Sequence, residues 1–403
     1  MVQIALLGFG VVGSGTAEVL TENRGLIDDR CGDSIRIKYI LDLREFPDHP
    51  LGNLVVHDVA PILADPEVSV IAEMMGGSHP AYEFTKAALE AGKSVVTSNK
   101  EVVANYGAEL LALAREKGVS YLFEASVGGG IPIIRPLSDD LSPNRILSVS
   151  GILNGTTNFI LTRMKNDGAD FSSALREAQE RGYAEANPAA DVEGLDAARK
   201  IVILAALSFG VLIPPAQIPV TGITGITPEM NEVAAALGCA VKLIGHTERI
   251  DGKVLALVAP HFVPDRSPIS HVEDVFNGIL VNADMLGKTF YYGPGAGKLP
   301  TASAVTADIV SIASPAGRRR IADWTPATPE MIADPADRVC RRAFLFRGCA
   351  RCAEATKTYF GNETYLLREG SFALISRPMN GREADRAVSE CGKELIWSMP
   401  VLD

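Results

Sequence analysis

The stretch 182–204, GYAEANPAADVEGLDAARKIVIL, sets a carboxylate-rich loop immediately before an apolar helix that carries a lysine in its first turns. Asp196 and Lys200 are four residues apart, so a helix places them on one face, and the apolar run 201–206 behind them predicts a dry boundary. An ammonium held there beside Asp196, with Asp191 and Glu185 on the incoming loop, can exchange a proton with a substrate or act as a fixed counter-charge. A plain charge pair at a helix start has the same spacing. Lys100, in the segment TSNK, is a second candidate charge, and its bland reading is a solvated lysine at a helix start.

These groups need a scaffold, and the amino-terminal segment supplies one. An apolar run at 2–7 ends in Gly8, Gly10 and Gly13 and is followed by the helix-compatible SGTAEVL. This is the dinucleotide fingerprint in its required setting: Gly8 for the tight turn, Gly10 for close approach of a pyrophosphate, Gly13 for helix–strand packing. A purely structural βα turn is the alternative. The second strand, IRIKYILDL, ends in Asp42 and is followed by Arg44. An acidic residue there accepts from an adenine-ribose 2′-hydroxyl and an arginine neutralises a 2′-phosphate, so NAD and NADP both remain open. Asp42 lies farther from the glycines than the usual ~20 residues, which implies a longer first crossover.

Apolar segments at 68–75, 94–97 and 121–127 alternate with helical segments at 81–91 and 102–116. That alternation predicts a Rossmann-type, doubly wound parallel sheet in an α/β protein. Ligands bind at the carboxyl ends of such strands, where Gly76, Gly77, Ser98, Asn99 and Lys100 fall. Strands are then expected at 146–153, 241–249, 254–263 and 278–283, with the tight hairpin signal Asp251-Gly252 joining the second pair. They predict a second, α+β domain with a mixed or antiparallel sheet. The glycine turn and amphipathic segment GPGAGKLPTASAVTADIVSIA is expected to return to the nucleotide domain.

At 403 residues, two or three domains are expected from a norm of roughly 100 to 200 residues each. The net charge of -11 argues against a nucleic-acid or anionic-membrane surface and favours a small-molecule partner. The opening MVQIALLGFG is already a strand and turn, and the longest apolar run, 201–213, is too short to span a bilayer, so a soluble cytoplasmic protein without a signal peptide is expected. The six cysteines show no secreted disulfide framework. Cys349 and Cys352 form a C-x-x-C at a helix start; together with Cys340 and Cys391 they can be imagined as a zinc site, but ordinary small buried side chains are the favoured reading over metal or redox use.

The motifs GFGVVGSG, TSNKEVVA, EASVGGGIPI, GILNGTTNFIL, GYAEANPAADVEGLDAARK and GPGAGKLPTASAV resemble homoserine dehydrogenase over about residues 1–318. The resemblance implies reversible NAD(P)-dependent reduction of L-aspartate 4-semialdehyde to L-homoserine in threonine and methionine synthesis, by a homodimer or dimer of dimers built through the second domain's sheet. Lys200 then corresponds to the family's acid/base lysine and Lys100 to the lysine near nicotinamide and substrate. Glu185, Asp191 and Asp196 correspond to carboxylates that hold substrate, and Thr156 to a substrate contact. Gly8, Phe9, Gly10, Val11, Val12, Gly13, Lys100 and Gly297 correspond to cofactor contacts. Backbone oxygens of Glu124, Val127, Gly129 and Ile131 are the implied holders of a monovalent cation such as Na+. Asn187 departs from the family, which usually has an acidic residue there, and lowers the loop's negative charge.

The resulting plan is a nucleotide domain of 1–130 and 300–318, a catalytic and dimerisation domain of 131–299, a proline-rich linker of 319–337 and a small domain of 338–403. That last segment reads as βαββαβ, with strands at 341–347, 363–368, 371–376 and 394–399 and helices at 350–360 and 382–391. The order is ferredoxin-like and resembles the ACT regulatory domain. Its first ligand loop reads Arg347-Gly348-Cys349 in place of the usual acidic-Pro-Gly, so weak or absent threonine inhibition is expected. Two rival functions remain: another two-domain NAD(P) amino-acid oxidoreductase, and a catalytically silent nucleotide-binding regulator.

Overall fold

Ile4, Ala5, Leu6 and Leu7 of strand β1 (Val2–Leu7) are fully buried. An apolar run without alternation is what a strand covered on both faces requires. The computed structural model describes residues 1–314, 321–361 and 365–402. The close of the expected nucleotide domain at 315–318, the start of the expected linker at 319–320 and the strand start expected at Glu363 lie outside the described residues. By packing, the chain forms two units, one of Met1–Arg145, Val202–Pro215 and Gly293–Ala327, the other of Ile146–Ile201, Ala216–Tyr292 and Thr328–Asp403.

In the first unit β1 leads to α1 (Val11–Glu22), α2 (Arg24–Cys31), β2 (Ile35–Leu41), β3 (Val55–Val56), α3 (Ala60–Ala64), β4 (Val68–Glu73), α4 (Ala81–Glu90), β5 (Ser94–Thr97), α5 (Lys100–Lys117) and β6 (Tyr121–Leu122). The strands pair in parallel in the order β3-β2-β1-β4-β5-β6, so the chain direction across the sheet reverses between β1 and β4. A doubly wound sheet opens its ligand crevice at that switch point. The additional helix α2 accounts for the long spacing from the glycines to Asp42. The strand expected at 121–127 ends at Leu122, and a 3-10 turn covers Glu124–Ser126. The Glu124 N–H donates to Asp308 Oδ2 at 2.8 Å, so it is withdrawn from the ladder.

Beyond Arg145 come β7 (Ile146–Ile152), α6 (Gly155–Asp167), α7 (Phe171–Glu180), α8 (Ala189–Val192), α9 (Leu195–Phe209), β8 (Val211–Leu212), α10 (Pro228–Ala236), β9 (Cys239–Ile250), β10 (Lys253–Pro264), β11 (Phe276–Ala283) and β12 (Gly287–Pro294). The second unit's sheet has the order β10-β9-β7-β11-β12, with antiparallel pairing from β10 through β11. Asp251 and Gly252 turn the β9–β10 hairpin with φ of +48° and +84°, the type I′ geometry that the dipeptide predicts. Strand β12 is an addition to the expected set. A Cβ on Gly245 of β9 would stand 2.8 Å from Leu153 and 3.3 Å from Ile201, so the Lys200 helix α9 lies directly on the sheet.

The helix α11 (Lys298–Ala313) packs on α1 in the first unit, where a Cβ on Gly15 would stand 2.9 Å from the Lys298 carbonyl oxygen. Residues 321–327 of the expected linker are packed as well. Trp324 is buried over Gly107, and β13 (Thr325–Pro326) pairs with β8. From 328 onward the chain belongs to the second unit, where the Ala333 N–H donates to the Val254 carbonyl at 3.0 Å.

The final segment runs β14 (Arg342–Arg347), α12 (Ala350–Phe360), β15 (Tyr365–Arg368), β16 (Ser371–Ile375), α13 (Gly381–Cys391) and β17 (Leu395–Pro400). It is the expected βαββαβ order, and its antiparallel sheet runs β15-β16-β14-β17 around Phe344, Phe346, Phe360 and Phe372. The chain end then bridges Val401 to Phe262 of β10, and the Leu402 N–H donates to the Phe262 carbonyl at 2.9 Å. Among the described residues no helix is long and apolar enough to cross a membrane.

Candidate active site

The three fingerprint glycines have separable steric roles. Gly8 adopts φ +90°, which favours glycine, and its Cβ would stand 2.9 Å from the Met74 carbonyl oxygen. At Gly13 a Cβ would meet the Gly8 carbonyl oxygen at 2.0 Å, so only glycine lets α1 start there. Gly10 faces open space with nothing within 4 Å, as a backbone that receives a phosphate must. Phe9 is buried edge-on against Phe46 and His49, whereas Val11 is exposed and Val12 half-buried at the amino terminus of α1. A hollow of about 490 Å³ opens here, lined by Gly8, Gly10, Asp42, Arg44, Met74 and Met75.

Asp42 and Arg44, read from the sequence as alternative ribose partners, are bonded to each other. Arg44 Nε donates to Asp42 Oδ1 at 3.0 Å, and the Phe9 N–H donates to Asp42 Oδ2 at 2.8 Å. The guanidinium, ahead of the two N–H donors, holds the Asp42 carboxyl well below the usual carboxylate range. Glu73, at the end of β4, was not anticipated. It is fully buried, accepts from Thr97 Oγ1 at 2.6 Å and the Met75 N–H at 2.7 Å, and burial pushes it up to about 7. A lone glutamate closing the apolar VSVIAE was the available signal.

Lys100 is the first residue of α5. Asn99 before it caps the helix by accepting from the N–H groups of Glu101 and Val102, each at 3.2 Å, and donates to the Gly77 carbonyl at 2.7 Å. Gly297 caps α11 with φ +123°. Both belong to the first unit, with the fingerprint.

The carboxylates and Lys200 belong to the second unit. Lys200 is buried; its Nζ pairs with Asp196 Oδ2 at 2.9 Å and donates to the Leu153 carbonyl at 2.7 Å. Asn154, missed by sequence reading, ties the group together. Its Nδ2 donates to Asp196 Oδ2 at 2.9 Å and to Asp191 Oδ1 at 2.7 Å, while its Oδ1 caps α6 by accepting from the Thr157 N–H at 2.9 Å. An Asn directly before a helix start is a capping signal, but spacing does not reveal the second duty. Thr156 donates to the Tyr183 carbonyl at 2.6 Å and so holds the incoming loop. Glu185 lies exposed on that loop, and Asn187 Oδ1 accepts from the Ala189 N–H at 3.3 Å to turn the chain into α8. Lys200, Asp196, Asn154 and Asp191 thus share one bonded constellation, while Thr156 is bonded to the Tyr183 carbonyl and Glu185 lies on the same incoming loop.

Of Glu124, Val127, Gly129 and Ile131, Glu124 carries the side-chain carboxylate, and that group is already used. Glu124 is buried and accepts from the N–H groups of Ile133, Ile134 and Arg135 at 2.7, 2.8 and 2.8 Å. Gly129 turns the loop at φ +58°, and the Ile131 N–H closes on the Gly128 carbonyl at 2.9 Å. Among the described residues no group of three or more His, Cys, Asp or Glu could hold a metal, so the imagined zinc cluster with Cys340 and Cys391 does not form.

Residues 8–124 match the family model described as homoserine dehydrogenase, NAD binding domain, and residues 132–310 match that of homoserine dehydrogenase. A homoserine dehydrogenase of Bacillus subtilis (strain 168) is 42% identical over 314 residues, 77% of this chain and 72% of that protein. The chain belongs to the homoserine dehydrogenase family. A homoserine dehydrogenase of Neisseria gonorrhoeae is 42% identical over 83% of this chain and 77% of its own length. Among solved structures, a homoserine dehydrogenase from Thiobacillus denitrificans superposes with a TM-score of 0.88 at 34% identity, covering 100% of this chain and 98% of that one. A hyperthermophilic archaeal homoserine dehydrogenase in complex with NADPH has a TM-score of 0.66 at 29% identity, over 77% of this chain and 97% of its own. A nicotinamide cofactor therefore goes with the glycine cradle, in a homoserine dehydrogenase with a Rossmann-type sheet and a separate antiparallel-sheet domain.

Proposed function

We propose that the chain interconverts L-aspartate 4-semialdehyde and L-homoserine in threonine and methionine synthesis. The observation that carries this reading is the buried Lys200–Asp196 pair, bridged by Asn154 to Asp191. Reduction of an aldehyde builds negative charge on its oxygen, and a positioned ammonium supplies the proton. Lys200 Nζ holds that proton, with Asp196 and the Leu153 carbonyl fixing its direction. In the oxidative direction the same nitrogen receives it. Asp191, Asp196 and Glu185 attract the substrate's α-ammonium, Thr156 braces the loop that carries Glu185, and Lys100 supplies a second positive charge to the reacting end. The cofactor, when bound, supplies or accepts the hydride.

NADH and NADPH both belong to this reading. Asp42 serves as acceptor for a ribose hydroxyl, and Arg44 can exchange Asp42 for a 2′-phosphate. A monovalent cation on the backbone oxygens of Glu124, Val127, Gly129 and Ile131 belongs to this reading. So does a homodimer through the second unit's sheet, supported by exposed Leu147, Phe276, Met285, Leu286 and Tyr292 on its strands and hairpin. The βαββαβ segment is read as a divergent ACT-like module, and cysteines that form no disulfide among the described residues accord with a cytoplasmic setting.

The test is oxidation of NADH and NADPH, followed by the absorbance of the reduced nicotinamide, with aspartate semialdehyde as substrate. Turnover with this aldehyde and return with homoserine are expected. Activity only with another amino-acid substrate favours the rival oxidoreductase, and cofactor binding without turnover favours a silent regulator.

A further inference from the structure

Cys349 and Cys352 are absorbed by none of the chemistry above. Cys349 is exposed at the N-cap of α12, with extended backbone. Cys352, one turn later, is partly buried against the cluster of Phe344, Phe346, Phe360 and Phe372. The two sulfurs stand 3.7 Å apart, in direct contact. The backbone makes room for this: a Cβ on Gly348 would stand 2.9 Å from the Cys352 Cβ, and Gly348 itself is pinned by its N–H donating to the Gly370 carbonyl at 2.9 Å. Cys31, Cys239 and Cys340 are buried.

We propose that Cys349 and Cys352 form a redox-active dithiol that exchanges with low-molecular-weight disulfides of the glutathione class and closes to an intramolecular disulfide. The roles follow from placement. Cys349, open to solvent, attacks; Cys352, behind it, resolves. The Cys352 N–H, then the Cys352 thiol and the Arg351 N–H, hold the Cys349 thiol below its ordinary range, which favours the attacking thiolate. A hollow lined by Arg347, Gly348, Cys349, Cys352, Leu367 and Arg368 gives a small disulfide access. Both arginines also have acidic partners, Glu394 for Arg347 and Glu232 for Arg368.

The exchange balances. Cys349 sulfur attacks one sulfur of the small disulfide, an S–S bond forms to the protein, and one small thiolate leaves. Cys352 then gives its proton to solvent and attacks the Cys349 sulfur, expelling the second thiolate. Two protein thiols lose two electrons and one small disulfide gains them. Closing the bond brings the sulfurs from 3.7 Å to about 2.05 Å within one helical turn.

The experiment uses the full chain and glutathione disulfide, read by thiol titration, intact mass and peptide mapping after alkylation. Native protein is expected to lose two titratable thiols and the mass of two hydrogens, to map the bond to Cys349–Cys352, and to recover both thiols with dithiothreitol. Cys352→Ser should stop at a mixed disulfide and gain one glutathionyl group on Cys349. Cys349→Ser should react roughly tenfold more slowly, as expected when the accessible thiolate is lost. Cys391→Ser should behave as native. A stable glutathionyl adduct on native Cys349, a disulfide between two chains on a non-reducing gel, or equal rates for native and Cys349→Ser would each overturn the proposal.

Discussion

The second unit holds two buried lysines in opposite circumstances. Lys200 has a carboxylate at 2.9 Å, a carbonyl at 2.7 Å, and a neighbouring loop that carries the exposed Glu185. Lys242 on β9 is 1% exposed and donates to the Val272 carbonyl and, at 3.2 Å, to Asn158 Oδ1. Its direct partners are neutral, and burial pushes it down to about 8. Asn158 in turn reaches the carbonyls of Val272, Asp274 and Phe276, so Lys242 fastens a turn to the sheet. Burial alone therefore does not make a lysine catalytic. The adjoining carboxylate is what sets Lys200, the proposed acid/base, apart from Lys242.

The largest expected effect is on turnover. Lys200→Ala should lower kcat by on the order of 10² to 10⁴, the usual loss when a general acid is removed, with dinucleotide affinity nearly unchanged by direct binding measurement. A folded variant with wild-type kcat would remove Lys200 from the chemistry and erase its contrast with Lys242. Asp196→Asn should lower kcat/KM by about 10². Glu185→Gln, on the exposed loop, should raise KM by about tenfold, near the value of a single surface-facing charge contact. Steady-state kinetics rank the three.

Lys242→Met should leave kcat within about twofold of wild type and show itself in stability instead. The folded Lys242 releases its proton near pH 8 while the unfolded chain keeps it to about 10.5. Between these values the unfolded state binds more protons, so wild type should gain stability relative to Lys242→Met as pH rises, by on the order of 3 kcal/mol across the window. Denaturant midpoints at pH 7.5 and 10 measure it, and parallel midpoints for the two proteins would show that folded Lys242 keeps its proton as the unfolded chain does.

An effect of comparable size concerns His246, buried behind Ser150 and Glu248, whose imidazole is held down to about 4 by burial and then by Arg338. Below the ordinary value of 6.5 the unfolded chain takes up a proton that the folded chain refuses, so stability should fall from pH 6.5 to 4 at up to about 1.4 kcal/mol per pH unit. His246→Gln should flatten that slope. An unchanged slope would assign the acid sensitivity to other groups, His261 first, since it is fully buried and receives the Arg338 Nη1 hydrogen bond at 2.9 Å.

The sequence by itself determined the local grammar. Uninterrupted apolar runs marked buried parallel strands, the glycines at 8, 10 and 13 marked the turn into α1, Asp251-Gly252 marked a hairpin, and four-residue spacing placed Asp196 beside Lys200. The βαββαβ order of the chain end was legible for the same reason, because each signal depends on neighbours within a few residues. Tertiary structure alone decided the rest. Asn154 reaches Asp191 and Asp196 across 37 and 42 residues, and Lys200 reaches Leu153 across 47, so their meeting depends on how α9 lies on the sheet. The packing of 321–337, the engagement of Asp42 with Arg44 and the burial of Lys242 belong to the same class. Contacts between distant segments arise only when apolar faces close around them, and whether a charged residue is then paired or merely enclosed is settled by what the other segment brings.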